Sequence, residues 1–204
     1  MQGFILHTQS VKDEDLIVYI LSLKKVIKAY RFYGMRHSSI LSGYKIDFEL
    51  EDSSRFLPRL KDVLHIGFPW ILDREKMLYW QEFIRLFYKH LKEVENLESF
   101  YFELLDDCIK RFQKQDCKRV IVDAYLKLLI FEGRLHKEFI CFACDEKITQ
   151  DLVLLRAFLP AHKKCAVGYE FNEKELLNFY EKQNSSHFSD EYIEKLYRII
   201  KEGF

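Results

Sequence analysis

Apolar and polar residues alternate with a period of two along the first 70 positions of the chain. The clearest run is residues 44–51, in which every second residue is apolar and every residue between is charged. Because successive side chains of a strand point to opposite faces, this run predicts a strand with one solvated face. Four further runs rich in β-branched and aromatic residues predict strands at residues 3–9, 16–22, 26–34 and 57–66. Strands this short and closely spaced favour a small closed barrel, which has no exposed edges, and an OB-like barrel is the natural candidate.

From about residue 72 the period becomes that of a helix. Apolar residues recur at spacings of three and four within residues 74–92, 97–112 and 118–135, which predicts three amphipathic helices. Gly133 lies near the end of the third and is expected to cap it.

Two capping signals predict two more helices further along the chain. Asn172 and Glu175 have the spacing of an N-cap residue and its N3 partner, ahead of an apolar run. Ser189 can cap a final helix that reaches Ile200, with acidic residues in its first turn.

A pattern of metal-ligating residues lies between these two groups of helices. Cys141 and Cys144 form a Cys-x-x-Cys pair, and after a gap of 17 residues His162 and Cys165 form a His-x-x-Cys pair. Two short-spaced pairs suit tetrahedral zinc, and four protein ligands leave no position for water. We therefore predict a structural Zn²⁺ centre at these four residues.

Two other interpretations of this pattern stay open. In the first interpretation, the cysteines are ordinary thiols and His162, which lies beside two lysines, is merely exposed to solvent. The second is a redox Cys-x-x-Cys, which is less favoured because thioredoxin-type motifs lie near a βαβ pattern, whereas this pair follows a helix. Cys108 falls on an apolar helical stripe and is expected to be a core thiol.

The predicted fold class is α+β. An N-terminal OB-fold β-barrel, residues 1–70, precedes an α-helical domain, residues 71–204, which carries an inserted zinc-binding segment at about residues 138–170.

Composition narrows the class of protein but not its function. The chain has 32 basic and 32 acidic residues, so its net charge gives no argument for a nucleic-acid or membrane partner. Its first residues lack the features of a secretory signal, and no run approaches the roughly 18 apolar residues of a membrane span. We expect a cytoplasmic protein without a membrane partner. Its five cysteines argue against a disulfide framework.

A local basic stretch gives the argument that net charge does not. Six basic residues and no acidic residue occur between Ser22 and Ile46, interleaved with aromatic residues. Cations beside aromatic rings suit single-stranded nucleic acid, because phosphates pair with the cations and bases stack on the rings. The alternative is a solvated face with aromatic core residues behind it. The candidate DNA-binding residues are Lys24, Lys25, Lys28, Arg31, Tyr33, Arg36, His37 and Lys45.

No motif supports catalysis. The chain has no glycine-rich phosphate loop, no Gly-x-Ser-x-Gly elbow and no His-Glu-x-x-His stretch. Its carboxylate runs are better explained as solvated surface. We expect no catalytic residues and no enzyme.

Three segments resemble the RecO family of bacterial recombination mediator proteins. Residues 3–22 resemble the family's first hairpin, and residues 33–43 resemble a loop that usually reads Gly-Ala-Arg-Arg. Gly34 and Arg36 are retained in this loop, whereas His37 replaces the second arginine, which lowers the DNA affinity expected of it. Residues 124–135, followed by the Cys-x-x-Cys pair, resemble the helix that leads into the family's zinc site. The later pair is often two cysteines in the family, and His162 stands at the first of those positions.

The resemblance implies a function in DNA repair and recombination. A member of this family binds single- and double-stranded DNA, anneals complementary strands, and works with RecR to load RecA onto DNA coated by single-stranded-DNA-binding protein. It needs no cofactor beyond zinc and is expected at the nucleoid. The tail of single-stranded-DNA-binding protein would dock on the helical domain, for which the nearest basic cluster is Lys110, Arg111, Lys114, Lys118 and Arg119, although a solvated helix face is an equal alternative.

Two competing hypotheses come from other classes. One is a zinc-stabilised protein-interaction module that does not contact DNA. The other is a small metal-dependent hydrolase, which would need the open zinc position that four protein ligands deny.

Overall fold

The computed structural model describes residues 1–53, 56–94 and 96–204. The chain divides into two compact units, Met1–Lys114 and Gln115–Phe204. The first contains all five predicted strands and the first two predicted helices.

The strands of the first unit form a closed barrel. Their bounds are β1 Gln2–Ser10, β2 Leu16–Leu21, β3 Val26–Arg31, β4 Lys45–Glu51 and β5 Arg59–Ile66. They follow one another in the order β1-β2-β3-β5-β4, and only the pairing of β3 with β5 is parallel. The predicted OB-like barrel is confirmed.

The interior of the barrel is apolar, as the alternation predicts. Ile20, Ala29, Ile46 and Phe48 are among the side chains that point inward, and each is at most 1% exposed. The third strand ends at Arg31, three residues earlier than predicted. Tyr33 has a left-handed backbone with φ 50°, which takes the chain out of the extended conformation that a strand requires.

Two helices follow the barrel in the first unit. These are α1 Arg74–Leu91 and α2 Phe100–Phe112. The Asp73 carboxylate caps α1 by accepting from the backbone N–H groups of Glu75 and Lys76. Trp80 of α1 is fully buried, and its indole N–H donates to the Gly43 carbonyl at 2.7 Å, which attaches α1 to the barrel.

The second unit opens with α3 Cys117–Phe131. This helix ends earlier than predicted because Gly133 terminates it. Gly133 has φ 66°, its N–H donates to the Ile130 carbonyl, and the N–H of Arg134 donates to the Leu129 carbonyl. This pair of bonds is the Schellman motif, which requires a left-handed residue at the glycine position.

A small sheet and two helices complete the second unit. The strands β6 Leu152–Leu154, β7 Pro160–His162 and β8 Tyr169–Glu170 form an antiparallel sheet in the order β7-β6-β8. The helices are α4 Glu173–Lys182 and α5 Asp190–Lys201.

Both predicted caps of these helices are present. The Asn172 side chain accepts from the N–H groups of Lys174 and Glu175, and the Ser189 hydroxyl accepts from the N–H of Tyr192. The capping signals therefore located both helix starts.

The strands give way to helices between Ile66 and Arg74, close to the predicted domain boundary at residue 70. Compactness nevertheless groups α1 and α2 with the barrel. The domain boundary itself stays a prediction. In the part of the chain that the structure describes, no helix is both long and apolar enough to cross a membrane.

Candidate metal centre and DNA interface

Two tight turns present the four predicted metal ligands in the second unit. In the first, the Cys141 N–H donates to the Glu146 carbonyl and the Asp145 N–H donates back to the Cys141 carbonyl, both at 2.9 Å. In the second, the Cys165 N–H donates to the carbonyl of His162, the last residue of β7, at 2.9 Å. Each turn therefore delivers two ligand side chains close together.

The ligand atoms of all four residues converge. The sulfurs and the histidine nitrogen lie within 4.8 Å of one another. Cys144 Sγ is 3.5 Å from His162 Nδ1, and Cys165 Sγ is 3.9 Å from both Cys144 Sγ and His162 Nδ1. In a tetrahedral zinc site with ordinary bond lengths, two sulfurs are about 3.8 Å apart and a sulfur and a nitrogen about 3.6 Å apart. The distances between the four residues therefore fit the Zn²⁺ ion that their spacing predicted.

The backbone around the first turn favours a thiolate. Burial raises the pKa of the Cys141 thiol, but the backbone N–H groups of His162, Ala143 and Cys144 outweigh it and lower the pKa to about 6. Burial and the neighbouring sulfurs raise the pKa of Cys165 to about 11. If all three thiols ionised, their negative charges would repel one another at this short distance. A bound cation would neutralise this repulsion and so favour the thiolate forms.

The four candidate ligands would form a closed site if all of them bound one ion. Cys141 is fully buried, while His162 and Cys165 are half-buried and Cys144 is exposed. Four protein donors complete a tetrahedron and leave no position for a substrate or an activated water. The cluster can bind a metal ion that ties β7 to the preceding turn.

The candidate DNA-binding residues occupy two parts of the barrel. Lys24 and Lys25 are exposed in the turn between β2 and β3, where the Ser22 hydroxyl donates to the Lys25 carbonyl at 2.9 Å. Lys28 is exposed on the outer face of β3, with its ammonium 5.5 Å from the centre of the Tyr19 ring. These three lysines form an exposed basic hairpin, which we call the β2–β3 lysine group.

Arg31 lies at the end of β3 and is half-buried. Its guanidinium donates to the Leu60 carbonyl at 2.8 Å and lies 3.3 Å from the Nε2 atom of His37. Arg31 therefore joins β3 to β5, and part of its hydrogen-bonding capacity is already used within the barrel.

The loop after β3 is held by a buried carboxylate. Asp15 is 9% exposed and accepts from the Tyr30 hydroxyl at 2.5 Å and from the Tyr33 N–H at 2.7 Å. These bonds, that of the Tyr30 hydroxyl above all, lower the pKa of the Asp15 carboxyl. They fix the backbone at Tyr33, whose side chain is exposed.

Arg36, in the loop after β3, forms an ion pair. Arg36 donates to the Glu14 carboxylate and lies over the Tyr33 ring, with its guanidinium carbon 5.2 Å from the ring centre. Its charge is therefore shared with a local acid, but the pair is exposed, and such pairs are weak.

Lys45 is placed differently from the other candidates. Its ammonium donates to Asp106 of α2 at 2.5 Å and lies 5.6 Å and 5.3 Å from the ring centres of Phe4 and Phe102. The side chain is only 15% exposed. Lys45 joins the barrel to α2, so this geometry favours a structural role over a DNA contact.

The predicted tail-docking cluster consists largely of paired cations. Lys110 and Arg111 pair with Asp106 and Asp107 one turn earlier on α2, at 2.8 Å and 3.9 Å. Lys114 is exposed just beyond this helix. These three residues belong to the first compact unit.

The remaining two residues of that cluster belong to the second unit and are tied to α5 or to the loop before it. Lys118 donates to Glu194 at 2.5 Å. Arg119 donates to the carbonyls of Ser185 and Phe188 and to the Asp190 carboxylate, at 2.8, 2.9 and 2.7 Å. These contacts favour a structural role for both, and the docking assignment stays a prediction.

The sequence patterns did not identify one group at the rim of the barrel. Phe32, Phe56 and Arg59 lie together beside Tyr30 and line one cavity. Tyr30 lies near the end of β3 and Phe32 just after it, but the parallel pairing of Tyr30 with Arg59 across β3 and β5 is a long-range contact that no local pattern reveals.

Comparison with known protein families agrees with this barrel. The family model described as RecO N terminal matches residues 1–71, which span all five strands. Residues 1–71 are therefore similar to the N-terminal domain of RecO proteins. A RecO-type barrel connects the chain with DNA repair and recombination. A search of curated proteins found no match to the chain.

Proposed function

We propose that this chain is a RecO-type recombination mediator that binds single- and double-stranded DNA and anneals complementary strands. The proposal extends to loading RecA, together with RecR, onto DNA coated by single-stranded-DNA-binding protein. The observation that carries it is the RecO N-terminal barrel with the exposed β2–β3 lysine group on its surface. DNA binding and annealing would take place in the cytoplasm at the nucleoid, where the DNA lies.

The proposed mechanism is electrostatic positioning without covalent chemistry. Two complementary strands repel each other through their phosphates, and lysines that neutralise phosphate release the condensed counterions. Strands held near one another on such a surface pair faster than they do free in solution. On this proposal the protein is not an enzyme.

We assign zinc to the metal centre and give it a structural role. Three sulfurs and one imidazole nitrogen form a donor set that zinc prefers, and oxygen-seeking cations such as magnesium do not. The segment around the four ligands contains short strands and one turn of 3-10 helix, so bound metal would supply stability that these short elements do not.

A DNA-binding titration tests the proposal. Binding of a fluorescent oligo-dT is measured across a range of salt concentrations for the wild-type chain and for a variant with Lys24, Lys25 and Lys28 changed to Gln. If each lysine neutralises one phosphate, the triple variant should reduce the slope of log K against log salt by about 2, at about 0.7 for each contact with a single strand.

A matched control replaces Lys137, Lys174 and Lys182 by Gln, three lysines of the second unit that also sum to a loss of three charges. The control variant should bind like the wild type. Equal effects of the two variants would show that overall charge, rather than the barrel surface, determines binding and would contradict the proposal.

A second function is favoured by a different observation. Val167 is 99% exposed and Phe142 is also exposed, and both lie within two residues of a metal ligand. Apolar side chains presented beside a rigid centre suit a protein-interaction module. Wild-type chain that captured RecR or single-stranded-DNA-binding protein, but ignored DNA at every salt concentration, would favour this function over the first.

A further inference from the structure

We infer that the rim of the barrel holds a stacking site for an unpaired nucleobase of single-stranded DNA, formed by Phe32 and Phe56 with Arg59. This inference rests on the proposed DNA-binding function and names a contact of a different kind from the phosphate contacts of the β2–β3 lysine group. Its three residues are not among the candidate DNA-binding residues that the sequence patterns identified.

A cavity is present where these side chains meet. Its volume is about 360 Å³, within the range of about 300–1,000 Å³ that ligand pockets occupy. The cavity opens at the rim of the barrel and is lined by Tyr30, Phe32, Ser53, Phe56, Leu57 and Arg59.

Two aromatic rings of this cavity are exposed to water. The Phe56 side chain is 82% exposed and that of Phe32 is 47% exposed. The chain buries most of its large aromatic residues, including Phe4, Phe48 and Trp80 in the same unit. Two exposed phenylalanines beside one cavity form an apolar surface that contributes nothing to the core, and such surfaces mark binding sites.

The floor of the cavity is held in place before any ligand binds. The Tyr30 hydroxyl donates to the Asp15 carboxylate, and the Tyr30 N–H donates to the Pro58 carbonyl at 2.9 Å, which joins β3 to the start of β5. The Tyr30 and Phe32 rings meet edge to face, with their centres 5.0 Å apart. A fixed ring loses little conformational entropy when a ligand stacks on it.

The charges around the cavity select the ligand. The Arg59 guanidinium lies 5.0 Å from the centre of the Phe32 ring and forms an exposed ion pair with the Glu51 carboxylate at 3.8 Å. Lys28 lies on the same outer face of β3 as Tyr30, and Phe32 follows the last residue of this strand. An aromatic cavity flanked by cations is complementary to a base attached to a phosphate, and every base has a face that can stack.

The ligand should be single-stranded. In a duplex, each base is stacked on its neighbours and paired with its partner, so its faces are not available without the cost of extrusion. A base of a single strand can turn outward onto Phe32 and Phe56 at much lower cost. The site would therefore favour single-stranded over double-stranded DNA.

The experiment compares two ligands and four variants at one salt concentration. The ligands are a fluorescent oligo-dT and an abasic oligonucleotide of the same length, which has the same phosphates but no bases. The variants are Phe32→Leu, Phe56→Leu, Phe56→Trp and the control Leu64→Ala, which truncates an exposed apolar side chain of β5. Thermal unfolding of each variant checks that the barrel remains folded.

The inference predicts a specific pattern of affinities. The wild type should bind oligo-dT more tightly than the abasic strand, and each Leu variant should lose about 5- to 100-fold in affinity for oligo-dT. The loss should be absent with the abasic strand, Phe56→Trp should bind oligo-dT at least as well as the wild type, and Leu64→Ala should bind normally.

Other results overturn the inference, and they separate its failure from that of the proposed function. Equal wild-type affinity for the two ligands, or Leu variants that bind oligo-dT like the wild type, would refute the stacking site and leave phosphate binding intact. A wild-type chain that bound neither ligand would refute the proposed function as well. Capture of an apolar peptide at this cavity, with no preference for bases, would assign it to a protein partner.

Discussion

The position of Lys45 leads to a prediction that separates a structural cation from a DNA-binding one. Replacing Lys45 by Met keeps most of the aliphatic side chain and removes the charge that bonds Asp106 and lies over Phe4 and Phe102. We expect the first compact unit to lose stability and the affinity for DNA to stay within twofold of the wild type, because this ammonium is not on the surface.

The magnitude follows from how far the pair is buried. Loss of one partner from a fully buried ion pair costs about 3–5 kcal/mol, and an exposed pair contributes about 0–1 kcal/mol. Asp106 is 26% exposed and keeps a second partner, Lys110, at 2.8 Å. This partly buried pair lies between these two limits, and the cation–π contacts add about 0.5–2 kcal/mol. We therefore expect the free energy of unfolding to fall by about 2 kcal/mol.

Tryptophan fluorescence during urea unfolding measures this loss. Both tryptophans of the chain, Trp70 and Trp80, are buried in the first unit, so the signal reports on the unit that contains Lys45. Lys110→Met is the matched control, because this exposed lysine binds the same carboxylate, and it should cost less than about 1 kcal/mol.

The same pair gives a pH dependence of known sign. Burial raises the pKa of the Asp106 carboxyl, but the hydrogen bonds from Lys110 and Lys45 outweigh it, so the folded pKa lies below its unfolded value. The carboxylate therefore contributes stability above about pH 4, which is lost as the pH falls through the folded pKa. Lys45→Met should reduce this acid-dependent loss. A variant as stable as the wild type at neutral pH, but with weakened DNA binding, would refute the structural role of Lys45.

Three further predictions concern the second unit. Cys144→Ser and His162→Ala should each lower the zinc content measured by native mass spectrometry, whereas Cys108→Ala should retain it; full zinc content in both ligand variants would reject the centre. Arg119→Met should destabilise the chain by about 2 kcal/mol, because it removes a charged donor from two carbonyls and a carboxylate. An unchanged rate of hydrogen exchange at the start of α5 would contradict this prediction. Gly133→Ala should cost about 1 kcal/mol because of its positive φ, with no steric contribution since the space around it is open; an unchanged thermal midpoint would contradict the cap.

Much of the fold could be predicted because its elements are specified by local patterns. The alternation in β4 fixed which of its faces is buried, and Asn172 and Ser189 located two helix starts through bonds to the next turn. The convergence of the four candidate metal ligands was predictable for a related reason. Each ligand pair lies within one tight turn, so its spacing along the chain determines its spacing in space.

The DNA interface could be predicted only in part, because a count of charges does not show where they point. Lys28 and Lys45 belong to the same basic stretch, yet one is exposed on β3 and the other is bonded to α2. The cavity formed by Phe32, Phe56 and Arg59 depends on the parallel pairing of β3 with β5, which brings together residues far apart in the sequence.

Strand annealing is the decisive assay of whether the barrel acts on DNA. Two complementary oligonucleotides, one with a donor and one with an acceptor fluorophore, are mixed with the wild-type chain or with the variant that lacks Lys24, Lys25 and Lys28. We expect the wild type to accelerate annealing, added salt to remove the acceleration, and the triple variant to accelerate annealing little. If the wild-type chain at low salt left annealing at its spontaneous rate, the claim that this RecO-like barrel acts on DNA would be contradicted.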